Sequence, residues 1–204
     1  MSVITLSTAL AERIRSMRFE QVRNDFAFNS PFGSQATEVS SPLWGCSIIT
    51  DQMYESDSGN WKALLLLLRG QTNQLSLWDI ARPAPLGTMR GTLVLNGAHA
   101  QGDVVISIVD STQANTTLKA GDWLGIGTTT QQLVMVTADA TANGSGVISV
   151  TVEPPLRAAH LTGATVTWDK PKALFRRKQS IAGWDYQETF ASNFMLELIE
   201  DTRT

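Results

Sequence analysis

The sequence predicts a mainly β protein in which one small domain is inserted into another, and three observations carry that reading. A Pro-containing hinge, Ala81-Arg-Pro-Ala-Pro-Leu-Gly-Thr88, follows directly on a leucine-rich helix and a short strand. From Met89 to Trp168 the composition changes to few charges and much Gly, Thr, Val and Ala, and after Trp168 the charged, aromatic character of the first part returns. Within the middle region, short runs of β-branched residues alternate with the period of two that a half-buried strand requires. This divides the 204 residues into an outer domain, 1–90 plus 168–204, and an inserted one, 91–167. No fixed-period repeat runs through the chain.

Each element follows from its pattern. Phe19 to Phe28 predicts a strand entering a loop at Asn29-Ser-Pro-Phe-Gly33, and Ser34 to Thr50 a β-rich segment broken at Ser41-Pro42, because Pro belongs at strand ends and edges. Asn60 to Arg69 predicts a helix: Trp61, Leu64, Leu65 and Leu68 fall at i, i+3, i+4 and i+7. Ser56, Asp57 and Ser58 are its N-cap candidates, and Gly70 stands where a left-handed residue would stop it. Leu66 and Leu67 lie off that apolar face, so the helix needs cover on two sides, either deep in its own domain or under a neighbouring subunit. Leu75 to Trp78 reads as a short strand.

In the inserted region Val104, Ile106 and Ile108 alternate with Val105, Ser107 and Val109. Leu133 to Thr137, Val147 to Val152 and Thr165 to Trp168 add strands, and Ala142-Asn-Gly-Ser-Gly146 carries a tight hairpin signal. Several short strands without a helix signal predict a small barrel or sandwich. Leu174 to Ile199 predicts two long strands joined at Ala182-Gly183. In the second, Phe190, Phe194, Leu196 and Leu198 share one face, with Asn193 and Glu197 on the other.

Bulk properties exclude several function classes. A net charge of −3 and a pI of about 5.4 give no general attraction for nucleic acid or anionic membrane. A lone Cys46 excludes a disulfide framework and a cysteine-based metal cluster, and its setting predicts a small buried thiol. Met1 to Leu10 lacks the basic start of a secretory signal, and the apolar run Ala63 to Leu68 is far shorter than the ~20 residues that span a bilayer. A soluble protein made in a cytoplasm is the expectation.

The search for chemistry is equally restrictive. A serine or cysteine hydrolase needs an imidazole beside its nucleophile, and the two histidines, His99 and His160, sit among small residues as loop histidines. No close-spaced set of His, Cys, Asp and Glu predicts a zinc site. Asp103 and Asp122 follow glycines and read as turn carboxylates rather than an acid–base pair. Gly121-Asp-Trp-Leu-Gly-Ile-Gly127 lacks the Lys-Ser/Thr of a phosphate loop and reads as turn and strand. Asn115 and Asn143 match glycosylation sequons only formally. Catalytic, cofactor and metal residues are therefore assigned to none. Lys170, Lys172, Arg176, Arg177 and Lys178 form a basic cluster beside Trp184, read as a solvated strand face or inter-subunit ion pairing, with polyanion contact as the sharper reading. Leu66, Leu67, Lys172, Arg176, Arg177 and Lys178 are the interface candidates.

The order of these segments resembles that of distal tail proteins of long-tailed bacteriophages. The resemblance is carried by Phe28-Asn-Ser-Pro-Phe-Gly-Ser-Gln35, Trp44, Trp61-Lys-Ala-Leu-Leu-Leu-Leu-Leu-Arg-Gly70 and the Arg82-Pro-Ala-Pro-Leu-Gly-Thr88 hinge. Leu118-Lys-Ala-Gly-Asp-Trp-Leu124, Val152-Glu-Pro-Pro-Leu-Arg157, Trp184-Asp-Tyr-Gln-Glu-Thr-Phe190 and Asn193-Phe-Met-Leu-Glu-Leu198 continue it over nearly the whole chain. It implies an N-terminal β-sandwich that forms a six-fold ring and an inserted OB-like β-barrel. The implied role is structural: a homo-hexamer in the virion, assembled in the host cytoplasm, joining the tail tube protein to the tail hub protein and tail fibres of the baseplate. The resemblance further implies no catalytic activity, no cofactor and no membrane partner, with nucleic acid met only by passage through the ring lumen. The competing expectation is a carbohydrate-binding accessory module for host-surface glycans, which would want an exposed aromatic residue, with Trp123 and Trp168 as candidates.

Overall fold

The computed structural model describes residues 1–128, 130–187, 190, 191 and 193–203, with only the backbone of 186, 187, 190 and 191. It is mainly β, with 45% strand and 9% helix. The first elements are β1 (Val3–Thr5), α1 (Thr8–Ala11), β2 (Ile14–Ser30), β3 (Gly33–Thr50), β4 (Met53–Tyr54), α2 (Glu55–Leu67) and β5 (Gln74–Leu77). The middle of the chain supplies β6 (Leu93–Leu95), β7 (Val105–Val109), β8 (Thr117–Leu118), β9 (Trp123–Ile126), β10 (Gln132–Val136), β11 (Ala140–Thr141), β12 (Val147–Glu153) and β13 (Thr165–Thr167). The last are β14 (Ala173–Arg177), β15 (Tyr186–Gln187), β16 (Phe190–Ala191) and β17 (Met195–Glu200).

Two compact units result: Met1–Glu20 with Trp44–Ala81 and Lys172–Thr204, and Gln21–Leu43 with Arg82–Pro171. The outer sheet runs β1-β5-β14-β17-β3-β2, and a small sheet runs β15-β16-β4. In the outer sheet β1 and β5 are parallel, whereas β5–β14, β14–β17 and β17–β3 are antiparallel. Alternation puts Phe175, Leu196, Leu198, Cys46 and Ile48 in the core of the first unit. Burial pushes the Cys46 thiol up to about 12, helped by Asp79 and Glu20, so the lone cysteine is an unreactive core residue.

Four sequence expectations change. The predicted loop at Asn29–Gly33 is the two-residue tip of a long hairpin, because β2 continues to Ser30 and β3 starts at Gly33. Nor is β3 broken at Ser41-Pro42. Its register with β17 begins at Gly45, so at Pro42 the missing N–H interrupts no ladder on that side. Helix α2 begins at Glu55, with Ser56, Asp57 and Ser58 inside it and Tyr54 at the N-cap making no side-chain cap bond. Glu55 and Asp57 place negative charge in the first turn instead. At the other end Arg69 and Gly70 adopt φ of 46° and 63°, and the Asn73 side chain donates to the Leu67 carbonyl at 2.8 Å.

The fourth change is at the C-terminal strands. The long pair is β14 and β17, of five and six residues, separated by a connection that holds Ala182-Gly183, β15 and β16. Phe194, Leu196 and Leu198 are buried on one face as the period predicts. Glu188, Thr189 and the side chain of Phe190 lie outside the described residues.

In the second unit, six strands close in the order β10-β12-β7-β6-β13-β9, every neighbouring pair antiparallel. The barrel is OB-like in being small, closed and antiparallel, with six strands where an OB-fold has five. Inward residues such as Ile106, Ile108, Leu124, Val134, Ile148 and Val150 fill it without solvent exposure. The Asn-Gly signal acts differently from a simple two-residue turn. Gly146 N–H donates to Asn143 O at 3.0 Å, Asn143 N–H donates to Val147 O at 2.8 Å, and Gly146 takes φ 74°. That is a turn with a left-handed bulge residue, stiffened by the Asn143 side chain accepting from Ser145 and Val147 N–H.

Candidate functional site

The β2–β3 hairpin carries different chemistry on its two faces. Arg23 lies 3.6 Å from Glu38 and 2.9 Å from Glu153 at the end of β12, which fixes one face of the hairpin as the charged one. Since side chains alternate along a strand, Val22, Phe26 and Phe28 on β2 and Val39 on β3 take the opposite face. There they stand in solvent: Phe26 is 64% exposed, Phe28 61% and Val39 64%. At the tip, Ser30 Oγ donates to Gly33 O and accepts from Phe32 N–H, holding a tight turn whose Phe32 is fully exposed.

Helix α2 is also two-faced. Trp61, Leu64, Leu65 and Leu68 are buried as predicted, and Trp61 stacks on Phe194 at 6.2 Å between ring centroids. Leu66 and Leu67 remain 59% and 57% exposed, so their cover does not come from their own domain. Ala63 is exposed as well, and Ala63, Leu66 and Leu67 form an outward stripe at i, i+3 and i+4.

The basic cluster is dispersed. Strand alternation turns Arg177 inward, where it is 5% exposed, donates through Nη2 to the Ile181 carbonyl, and keeps an unpartnered buried Nη1. Burial lowers its pKa. Arg176, on the other face, donates to Gln71 Oε1 at 3.0 Å, Lys178 pairs with Glu20 at 3.3 Å, and the Lys172 ammonium lies 5.6 Å from the Trp78 ring centroid. The cation at Trp184 is Lys62, outside the predicted cluster. Lys170, with φ 46°, belongs to the other compact unit. These charges therefore serve separate local contacts rather than one polyanion surface.

In the barrel the structure brings together two histidines that read in sequence as separate loop residues. His99 and His160 exchange backbone hydrogen bonds, each 2.9 Å. His99 Nε2 accepts the Ser107 N–H at 3.1 Å, which leaves the proton on Nδ1 facing Asp103 Oδ2 at 3.3 Å. With its lone pair engaged by a backbone amide, His99 is a locked structural imidazole rather than a base. His160 Nε2 is buried without a partner among the described residues, and burial, with a smaller contribution from His99, lowers its pKa.

Asp122 is held elsewhere. Its carboxylate accepts Leu86 N–H at 2.7 Å, Gly87 N–H at 3.1 Å and Lys119 N–H at 2.7 Å, and so fastens the end of the Pro-containing hinge to the barrel. Asp103 and Asp122 thus work in two networks, and the turn reading holds for both. Residues 121–127 form a turn and the buried strand β9, as predicted.

An open groove on the barrel is lined by Thr92, Val94, Val109, Asp110 and Thr112, among others. Its carboxylate is already engaged by Thr112 N–H and Oγ1 and by Thr92 N–H, which hold Asp110 below the usual carboxylate range. Nearby, Trp168 donates from Nε1 to Gly91 O, and the Arg90 guanidinium covers its ring at 4.9 Å. Trp123 is buried.

Among the described residues, no cluster of three or more His, Cys, Asp and Glu could hold a metal ion. No described helix is long and apolar enough to cross a membrane. No protein-family model matches the chain, and no match is found among curated proteins.

Proposed function

We propose that this chain is a structural protein that assembles with copies of itself into a closed ring. The observation that supports this reading is the pair of unpartnered apolar faces, Val22/Phe26/Phe28/Val39 on the hairpin and Ala63/Leu66/Leu67 on α2. A single copy leaves both in water, and exposed patches of this kind mark association surfaces. Two different patches on one chain suit head-to-tail contacts, which close into rings. Combined with the resemblance in segment order, the specific proposal is the hexameric ring at the distal end of a phage tail tube, between tube and hub. The glycan-binding alternative is the weaker one, because the aromatic side chains it would use are buried at Trp123 and capped by Arg90 at Trp168.

Light scattering over micromolar to higher concentrations, with negative-stain imaging, tests the reading. A six-fold ring is expected, alone or on addition of a tail tube protein. A strictly monomeric species under both conditions overturns it.

A further inference from the structure

Asn-Gly occurs twice in the chain, at Asn96-Gly97 just after β6 and at Asn143-Gly144 between β11 and β12. In this dipeptide the glycine amide can attack the preceding side chain, because no Cβ shields its nitrogen. At both glycines an added Cβ would meet nothing within 4 Å, and neither glycine N–H donates a hydrogen bond among the described residues. Both asparagines are exposed, so water reaches them. The two sites carry the same nucleophile and the same electrophile. They differ in how each asparagine is held.

At Asn143 the turn engages both oxygens. Oδ1 accepts Ser145 N–H at 2.9 Å and Val147 N–H at 3.0 Å, and the backbone carbonyl accepts Gly146 N–H at 3.0 Å and Asn115 N–H at 3.3 Å. Bringing the carboxamide carbon onto Gly144 N needs a near-attack conformer, with the side chain swung round and the 143–144 peptide rotated. That movement gives up all four bonds. At Asn96 neither Oδ1 nor the backbone carbonyl accepts a hydrogen bond among the described residues. The Ser107 N–H that would complete the ladder there goes to His99 Nε2 instead, at 3.1 Å. The Asn96 side chain is tied only through Nδ2, which donates to Ser107 Oγ at 3.2 Å. Its backbone N–H donates to Ser107 O at 2.8 Å, a bond that rotating the 96–97 peptide leaves intact.

We infer that Asn96 is a site of spontaneous deamidation in the folded barrel, and that Asn143 holds the same chemistry silenced by its turn. Gly97 N bonds to Asn96 Cγ as the Cγ–Nδ2 bond breaks, and ammonia leaves with the glycine proton to give a cyclic imide. Water then opens the ring at Cγ, giving aspartate, or at the backbone carbonyl, giving isoaspartate. Neither step oxidises or reduces anything. Either product places a new negative charge three residues before His99. Isoaspartate also lengthens the main chain between β6 and His99, so it loosens the imidazole that accepts Ser107 N–H.

The full-length chain is incubated in mildly alkaline buffer and digested with trypsin, which places Asn96 in Gly91–Lys119 and Asn143 in Ala120–Arg157. Each peptide is followed by mass spectrometry for the gain that comes from replacing ammonia with water, and by isoaspartyl methyltransferase labelling. In the folded chain the Asn96 peptide should convert roughly tenfold or more faster than the Asn143 peptide, the scale of two or more net hydrogen bonds. In denaturant the two rates should approach each other. Asn96→Gln should stop conversion of its peptide, which assigns the change to that residue rather than to Asn115. Gly146→Ala, whose Cβ would press on the Asp110 carbonyl and loosen the turn, should speed Asn143 alone. Equal rates in the folded chain overturn the assignment. So does a gap that persists in denaturant, which would place the difference in local sequence rather than in the fold. Absence of conversion at Asn96 in the folded chain overturns it as well.

Discussion

Asp122 makes three backbone amides, two from the distant hinge and one from its own turn, depend on one buried carboxylate. Replacing it with Ala leaves those donors without their acceptor, and with hydrogen bonds to a charged group contributing ~1.5–3 kcal/mol each, a loss of about 3 kcal/mol or more is expected in urea denaturation. Gly-Asp turn chemistry was legible in the sequence. The identity of the donors was not, because Leu86 and Gly87 come from the hinge rather than the neighbouring turn. Arg177 was misjudged for a related reason: a run of basic residues suggests a solvated face, while the strand period sends every second one inward. Arg177→Glu should therefore collapse the first unit's thermal melt rather than merely weaken assembly, whereas the exposed Lys178→Glu should change stability by less than ~1 kcal/mol. His160 gives a pH signature. Its folded pKa lies below the ordinary 6.5, so the unfolded chain binds the extra proton first as pH falls. Its contribution is fully present above pH 6.5 and is lost on acidification through the folded value. The His160→Asn variant should lack that part of the slope when unfolding is followed between pH 7.5 and about 5.

At the level of elements, the barrel strands were the easiest to read and the hairpin the hardest. Strands β7 and β12 bury alternate residues on one side, and that alternation is what a sequence pattern reports. The distal part of β2 is exposed on both faces in a single copy, so no inward set marks its length. The same reasoning explains α2. Its buried face was legible from Trp61, Leu64, Leu65 and Leu68, and the demand for a second cover followed from Leu66 and Leu67, whereas the structure decides that the cover is not internal. Leu67→Asp is accordingly expected to leave the subunit's stability within about ±0.5 kcal/mol and to abolish ring formation, checked by circular dichroism and light scattering on one sample. In the barrel, Gly146 holds φ 74°, and a Cβ there would meet the Asp110 carbonyl oxygen at 1.9 Å. Gly146→Ala should destabilise the barrel by more than ~1 kcal/mol in the same denaturation assay.

For the whole molecule, the exchange of composition at the hinge revealed that a module is present but placed its edge a few residues late. Met89, left outside a module counted from 91, is fully buried in the barrel core, and its N–H donates to Thr117 O at 3.0 Å. A fragment of residues 82–171 should therefore fold with dispersed amide resonances. It should exceed a 91–167 fragment in urea stability by about 3 kcal/mol, the scale of an emptied Met site together with lost bonds to Asp122.

The place of β17 has a consequence for how the chain is made. It lies between β14 and β3 in the outer sheet, yet it follows every other described strand in sequence order. Every strand of the barrel precedes it, so the barrel can close during synthesis while the sheet still lacks an interior strand. At ~5–20 residues per second, β3 waits on the order of ten seconds for β17, with the phenylalanines of the hairpin already outside the exit tunnel. Nascent chains stalled before Met195 should consequently hold a protease-resistant barrel beside an unfinished, adhesive sheet. The burden on the cell's holding chaperones then falls on the outer unit, whose two sequence halves can join only once β17 has been made.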